Sequence, residues 1–443
     1  MRSILIVLFF ALAGFAEEKQ KPNIILILSD DQAWDDYSFM GNKDVKTPNI
    51  DKLAASGLLF RRGYVPSPLC RPSLASLVSG LHTHEHLVAG NDVSPSRSTK
   101  IRYTKERKGI DAFNKIPSMV SELVKNGYLA HQSGKWWEGS YKEGHFTHGM
   151  TTAIAEKGGR HGDVGLKIGR TGMKPITDFI DMAIEKKKPF FVWYAPFLPH
   201  TPHNPPKKLL DPYLKKGFKP DRAKYYAMCE WFDNTCGELM DYLKKKNIEK
   251  NTVILYVCDN GWKARSQTDI PLPKGWWPKF APRSKGSPFE NGIRTPIIIS
   301  WPGKIKPEDS KDLAISIDLF PTVLNICGIK HPTKFQGIDL LNAEARKNRK
   351  AIYGASYSIH NMNIGDPAST RQYRWIITRK WKYLRRDSGE DTTSYKHIHM
   401  WDKVPERLYD LENDPGEKNN LIKEQPKVAD ELREKVKAWL KDQ

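Results

Sequence analysis

At 443 residues the chain exceeds the usual single-core size of about 250–300, so one large domain with a smaller companion is expected. Its 71 Lys and Arg against 51 Asp and Glu give a formal charge of +20, which favours polyanionic partners. Five cysteines exclude a disulfide framework, and no stretch past the first residues approaches the roughly 20 apolar residues of a membrane span.

The opening MRSILIVLFFALAGFA has one arginine, an apolar run from Ile4 to Ala13, and small residues at Gly14 and Ala16. It reads as a secretory signal over 1–16, so the mature chain is expected to be exported, periplasmic or secreted. Export argues against nucleic acid and leaves acidic lipid or acidic polysaccharide as the matching polyanion. Lysine runs at 186–188 and 244–246 read as solvated helix ends.

Next comes KPNIILILSDD, whose continuous apolar run from Ile24 to Leu28 marks a strand buried on both faces, as in parallel sheets. Comparable runs recur at 189–197, 251–260 and 295–301, and helical patterns fall at 48–57, 115–126, 175–187 and 222–246. The alternation predicts an α/β fold, a large mostly parallel sheet sandwiched by helices. Within it, SPLCRPSLASLVSG predicts a helix entered through the two prolines and stopped at Gly80, with Cys70 at its N-terminus. That position activates nucleophiles and attracts anions, although a free cysteine is also commonly a small buried hydrophobe. Cys229 and Cys236 share a helical pattern, seven residues and about 10 Å apart, too far to bridge. After about residue 345, RWIITRKWKYLRRD alternates like antiparallel strands, ERLYDLENDPGE reads as a strand and turn, and 422–441 as a helix. The expected division is a large α/β domain over 17–345 and a C-terminal α+β subdomain over 346–443.

Ligands of parallel sheets bind beyond the carboxyl ends of strands, which directs attention to the residues following each apolar run. Asp30 and Asp31 follow the first, the PHTPH segment holding His200 the second, and Asp259-Asn260 the third. Three carboxylates in one crevice repel unless a cation sits among them, and oxygen-only ligation favours calcium or magnesium. Taken alone, SDD and DNG are also ordinary caps and turns. His200 is a candidate general acid or base, and Lys135 and Lys285 are candidate positive charges for an oxyanion. His82, His84 and His86 of LHTHEH follow a helix stop and read as loop residues with a weaker case for a metal.

From PNIILILSDDQ to ERLYDLENDPGE the chain resembles the formylglycine-dependent sulfatases of the alkaline phosphatase superfamily, and CRPSLASLVSG is similar to that family's C-x-P-S-R signature. The resemblance implies that a maturation enzyme converts Cys70 to formylglycine, whose hydrate is the nucleophile. It further implies that Asp30, Asp31, Asp259 and Asn260 hold calcium, that Lys135 and Lys285 bind sulfate oxygens, and that His200 protonates the leaving alcohol. The implied substrate is a sulfate ester, here a sulfated carbohydrate given the basic charge and 13 tryptophans. Two positions depart from the family pattern: Leu74 stands where arginine is usual, and Trp137 where a histidine base is usual. An indole N–H only donates, so His84 or His161 are the candidate replacement bases. Two other readings fit the same residues, a phosphodiester or phosphonate monoester hydrolase and a non-catalytic glycan-binding homologue.

Overall fold

The computed structural model describes residues 21–93, 99–153, 163–330, 335–359, 363, 365–387 and 404–440. The expected signal at 1–16 and His161 lie outside the described residues. The main sheet comprises β1 (Asn23–Ser29), β2 (Leu58–Tyr64), β3 (Leu129–Gly134), β4 (His148–Gly149), β5 (Phe190–Ala195), β6 (Thr252–Cys258), β7 (Arg294–Ser300), β8 (Glu308–Ser310) and β9 (Ala314–Ile315). Their order is β4-β3-β5-β1-β6-β7-β2-β8, with β9 beside β2. Only β7 runs antiparallel to its neighbours, β6 and β2. A mostly parallel nine-stranded sheet is therefore the architecture, as the alternating pattern predicts.

The apolar run of β1 divides by parity between the two faces. Ile24, Leu26 and Leu28 pack into one core, Ile25 and Ile27 into the other. The first core takes Leu74, Leu77 and Val78 of helix Cys70–Ser79 and Met119, Val120 and Leu123 of helix Met119–Lys125. The second takes Ile176, Phe179 and Ile180 of helix Lys174–Glu185 and Met228, Phe232 and Leu239 of the long helix Pro220–Lys245. Each such side chain contributes roughly 1.5–3 kcal/mol by leaving water. Helices thus cover both faces, and the strand ends are left to carry the site.

A second sheet, fully antiparallel, contains β10 (Ala351–Tyr357), β11 (Arg371–Thr378), β12 (Trp381–Arg386) and β13 (Glu406–Asp410) in sequence order. Helix Pro426–Trp439 packs Ala429, Leu432 and Val436 onto Ile376, Tyr383 and Leu408. This is the α+β architecture expected near the end of the chain.

Some elements differ from the sequence expectation. β2 (LLFRRGY) and β3 (LAHQSG) lack long apolar runs, because Arg61 and Arg62 are only half-buried and His131, Gln132 and Ser133 are buried polar residues. The LHTHEH segment forms a short helix, Thr83–His86, instead of a loop. Its N-cap residue His82 receives Glu85 on its backbone N–H, a capping arrangement that the three histidines obscure in the sequence.

Candidate active site

Four strand ends and one helix start converge at a single crevice. β1 ends at Ser29, and Asp30 donates its backbone N–H to Leu198 O at 3.0 Å, which draws the segment after β5 alongside. Asp31 then adopts φ +64, in the left-handed region, so the alternation of the strand is broken and both carboxylates serve one site. After β6, Asn260 Nδ2 donates to Asp31 Oδ1 at 2.7 Å, and Asp31 N donates to Asp259 Oδ1 at 3.1 Å.

Lys135 arrives from β3 across Gly134, whose φ is +84 and whose Cα abuts the Ala195 carbonyl so closely that a side chain would overlap it. Glycine is required there by both conformation and space. Lys135 Nζ lies 2.8 Å from both Asp30 oxygens and 3.3 Å from Asp259 Oδ2. Its carbonyl accepts from Trp193 Nε1 at 2.9 Å, which fixes the backbone below the ammonium.

Cys70 is the first residue of helix Cys70–Ser79, after the extended Leu69, so its thiol sits at the positive end. The turn carrying Lys285 is tied to the same place, because Gly286 N donates to Pro68 O at 3.0 Å. Lys285 Nζ lies 2.6 Å from Asp31 Oδ1 and 3.3 Å from Cys70 Sγ. His200 Nε2 lies 3.3 Å from Asp31 Oδ2, and its ring rests on Phe197 at a centroid distance of 4.2 Å.

Three carboxylates face two ammonium groups, leaving one negative charge uncompensated by the lysines. Burial pushes Asp259 up to about 7 and raises Asp30, both within reach of Lys135. In Asp31 burial is outweighed by Lys285, His200 and Lys135, which together hold it at about 2. Burial drives His200 down to about 3 and lifts the Cys70 thiol to about 12, against the pull of Lys135 and Lys285 on the thiol. Such opposed displacements in one cleft mark a site built for charge.

Asn260 Oδ1 is buried without a hydrogen-bond partner, and it belongs to the same group as the three carboxylates. An orphaned carbonyl oxygen beside an excess of carboxylate fits a hard cation such as calcium.

Cys70 and His200, Lys135 and Lys285, and the candidate oxygen ligands Asp30, Asp31, Asp259 and Asn260 are therefore brought into one crevice. The two departures are also placed. Leu74 lies in the hydrophobic core one helical turn beyond Cys70, and Trp137 is 5% exposed in the same core. Lys135 Nζ instead lies 5.8 Å from the Trp137 ring. Arg71 does not take over the place of the usual arginine. Its guanidinium is fully buried and turned to Glu138, with bonds of 2.7 and 2.8 Å, and to Glu106 at 3.8 Å. His84 stacks on His82 and meets Trp439 of the C-terminal helix.

Sequence reasoning missed Phe197, which adopts φ +57 beneath His200 and lies 5.4 Å from Lys135 Nζ. It also missed Glu138, Glu290, Lys382 and Glu417. Only Glu138, three residues after Lys135, carried a positional hint.

Comparison with known proteins bears on this crevice. The family model described as Sulfatase matches residues 22–329, and that described as N-sulphoglucosamine sulphohydrolase, C-terminal, matches 284–390. N-acetylgalactosamine-6-sulfatase of Canis lupus familiaris is 27% identical, over 94% of this chain and 84% of the relative. Arylsulfatase A of Homo sapiens is 25% identical, over 94% and 86%. N-acetylgalactosamine-6-O-sulfatase of Bacteroides thetaiotaomicron is 24% identical, over 94% and 93%. Among solved structures, one in complex with D-glucosamine-2-N,6-O-disulfate superposes with TM-score 0.70 at 21% identity, over 95% of this chain and 98% of the other. A sulfatase from Pseudoalteromonas sp. gives 0.65 at 21%, over 95% and 90%, and these two likenesses speak to the alkaline phosphatase-like fold.

Proposed function

The chain belongs to the sulfatase family of sulfuric ester hydrolases, and on that premise we propose that it hydrolyses a sulfate ester on a sulfated carbohydrate. The observation that carries the reading is Lys285 Nζ, 2.6 Å from Asp31 and 3.3 Å from Cys70 Sγ. One ammonium joins the proposed nucleophile position to the proposed metal ligands, where the sulfuryl group must lie. The net reaction takes an organic sulfate and water to an alcohol and inorganic sulfate, with one proton released.

In this reading Cys70 is the precursor of formylglycine, made by a maturation enzyme, and the aldehyde hydrate would supply a nucleophile that a buried thiol does not. Asp30, Asp31, Asp259 and Asn260 would hold calcium, which would supply a Lewis-acid charge to the sulfuryl oxygens. Lys135 and Lys285 bind and orient the remaining oxygens; their exchange of carboxylate for sulfate partners needs only side-chain movement. His200, whose Nδ1 hydrogen is held by the Thr201 carbonyl, would take up a proton at Nε2, the nitrogen on the crevice side, and pass it to the leaving alcohol. Burial in a largely water-excluded cleft strengthens each of these contacts.

The leader at 1–16 makes the protein exported, periplasmic or secreted, and residues 17–345 and 346–443 form the catalytic domain and its companion. Among the described residues no helix is long and apolar enough to cross a membrane. The names of the relatives, which specify sulfated amino sugars, support a glycan substrate.

The test is sulfate release from a panel of sulfated mono- and oligosaccharides, using protein made beside a maturation system, with the mass of the Cys70 peptide determined in parallel. Aldehyde at Cys70 with sulfate release from one panel member is the expected result. Aldehyde present with turnover of a phosphodiester and no turnover of any sulfate ester would exchange the reading for the phosphohydrolase alternative.

A further inference from the structure

Ligand atoms of Asp30, Asp31, Cys70 and His200 all lie within 4.8 Å of one another. This set differs from the oxygen-only group proposed for calcium, because it contains one sulfur and one nitrogen. Softer donors of this kind select zinc, whereas calcium takes oxygen ligands. Four donors are also the number that a closed tetrahedral zinc site uses.

The tautomer of His200 bears on these donors. His200 Nδ1 lies 2.7 Å from the Thr201 carbonyl, and a carbonyl can only accept, so Nδ1 carries the hydrogen and Nε2 is left as the coordinating nitrogen. A ring nitrogen hydrogen-bonded to backbone in this way is the arrangement that presents the other nitrogen to a metal. Here that nitrogen lies 3.3 Å from Asp31 Oδ2, beside a second donor of the set. Two ammonium groups compete for these donors: Lys285 lies 2.6 Å from Asp31 and 3.3 Å from Cys70 Sγ, and Lys135 lies 2.8 Å from both Asp30 oxygens, so an entering metal ion must displace both.

We infer that, while Cys70 retains its thiol, the site binds zinc or a zinc-like ion through Asp30, Asp31, Cys70 and His200, and that conversion of Cys70 to an aldehyde also removes this preference. Binding forms a metal–sulfur bond and releases the thiol proton to solvent, with no change of oxidation state. Zinc bonds of about 2.0–2.3 Å require the donors to draw inward as Lys285 and Lys135 give them up. The inference concerns the unconverted chain and goes beyond the hydrolytic reading, since it requires no turnover.

The experiment uses the full chain made without a maturation system, its Cys70 confirmed as thiol by mass, titrated with Co²⁺ and then with Zn²⁺. The expected result is strong visible absorption of four-coordinate cobalt with a thiolate-to-cobalt charge-transfer band, displaced by Zn²⁺ and unaffected by about a hundredfold excess of Ca²⁺. Cys70→Ala should lose the charge-transfer band and weaken cobalt binding at least about tenfold; His200→Ala should weaken it similarly while keeping the band. Circular dichroism establishes that each variant is folded, and His200→Ala decides if Cys70→Ala is not. Absence of cobalt binding, or a weak six-coordinate spectrum unchanged by either substitution, overturns the inference. Sulfate release by the aldehyde form is measured separately, so its failure would remove the hydrolytic reading and leave the cobalt result standing.

Discussion

Lys382 Nζ, on β12 of the C-terminal sheet, lies 3.1 Å from Glu290 Oε1, at the start of the short helix Glu290–Ile293 that follows the Lys285 turn. The lysine is 0% exposed, and Glu417 completes its surroundings at 2.8 Å while accepting from Glu290 N at 2.7 Å. Arg294, 3.6 Å from Glu290, brings the cluster to two cations and two carboxylates. The smaller sheet is thereby joined by buried charge to the turn that holds an ammonium over the crevice.

Breaking this cluster should be costly, because one partner removed leaves two carboxylates in a dry environment. Lys382→Met is expected to lower stability by about 3–5 kcal/mol. Lys382→Met/Glu417→Gln, which restores charge balance, should recover part of the loss in denaturant titrations. Equal midpoints for the single and double variants would count against the charge argument.

Gly134 combines a left-handed φ with close approach to the Ala195 carbonyl. Gly134→Ala should cost at least about 1–3 kcal/mol from the backbone conformation, before the overlap is added. Because Lys135 follows directly, kcat on the matched sulfate ester should fall by more than tenfold even at a temperature where the variant remains folded. Wild-type kcat in such a folded variant would show that the strand end tolerates displacement.

Burial raises Asp36 to about 7, with Lys263 lowering and Asp35 raising it further; Asn42 and Gln267 donate to it at 3.2 and 3.1 Å. A carboxyl whose folded value lies above its unfolded value of 3.8 favours the protonated native state. Its contribution is therefore lost as pH rises from about 4 to about 7. Asp36→Asn should be stabilising at pH 8, nearly neutral at pH 4, and should flatten the pH dependence between. Urea midpoints of both proteins across that range measure the difference.

Calcium should raise the melting temperature of the matured protein, since an ion bound only by the native state stabilises by about 2.7 kcal/mol at a hundredfold excess over Kd. Asp31→Asn and Asp259→Asn should each shrink this calcium-dependent shift. Without calcium Asp259→Asn should melt at or above the parent, because burial and its like-charged neighbours disfavour its carboxylate, whereas Asp31→Asn should melt lower, because it strips the buried Lys285 ammonium of its partner. Persistence of the full shift in both variants would place the ion elsewhere.

Much of the fold was legible because parity and apolar run length are local properties. β1, β5 and β6 carry uninterrupted apolar residues that only a doubly covered strand can bury, and the C-terminal hairpin of β11 and β12 shows its alternation openly. β3 was not legible, because Gln132 and Ser133 satisfy their polar groups through Gly134 O and Trp193 O, partners the sequence cannot show. The PHTPH, DNG and SDD segments announced themselves by following strands. Phe197 and Lys382 did not, since a phenylalanine and a lysine in isolation are ordinary core and surface residues.

The sequence by itself determined which strand ends bear polar groups, that Cys70 starts a helix, and that Leu74 and Trp137 depart from the usual pattern. Tertiary structure alone decided that Arg71 is committed to Glu138 and Glu106 and is not a substitute at the crevice. It also decided that Lys285 lies between Asp31 and Cys70, residues separated from it by 254 and 215 positions. The division has one physical cause. Periodicity and caps are set by neighbours within a turn or two, whereas the direction of a long charged side chain is set by which distant charges the folded chain places within reach.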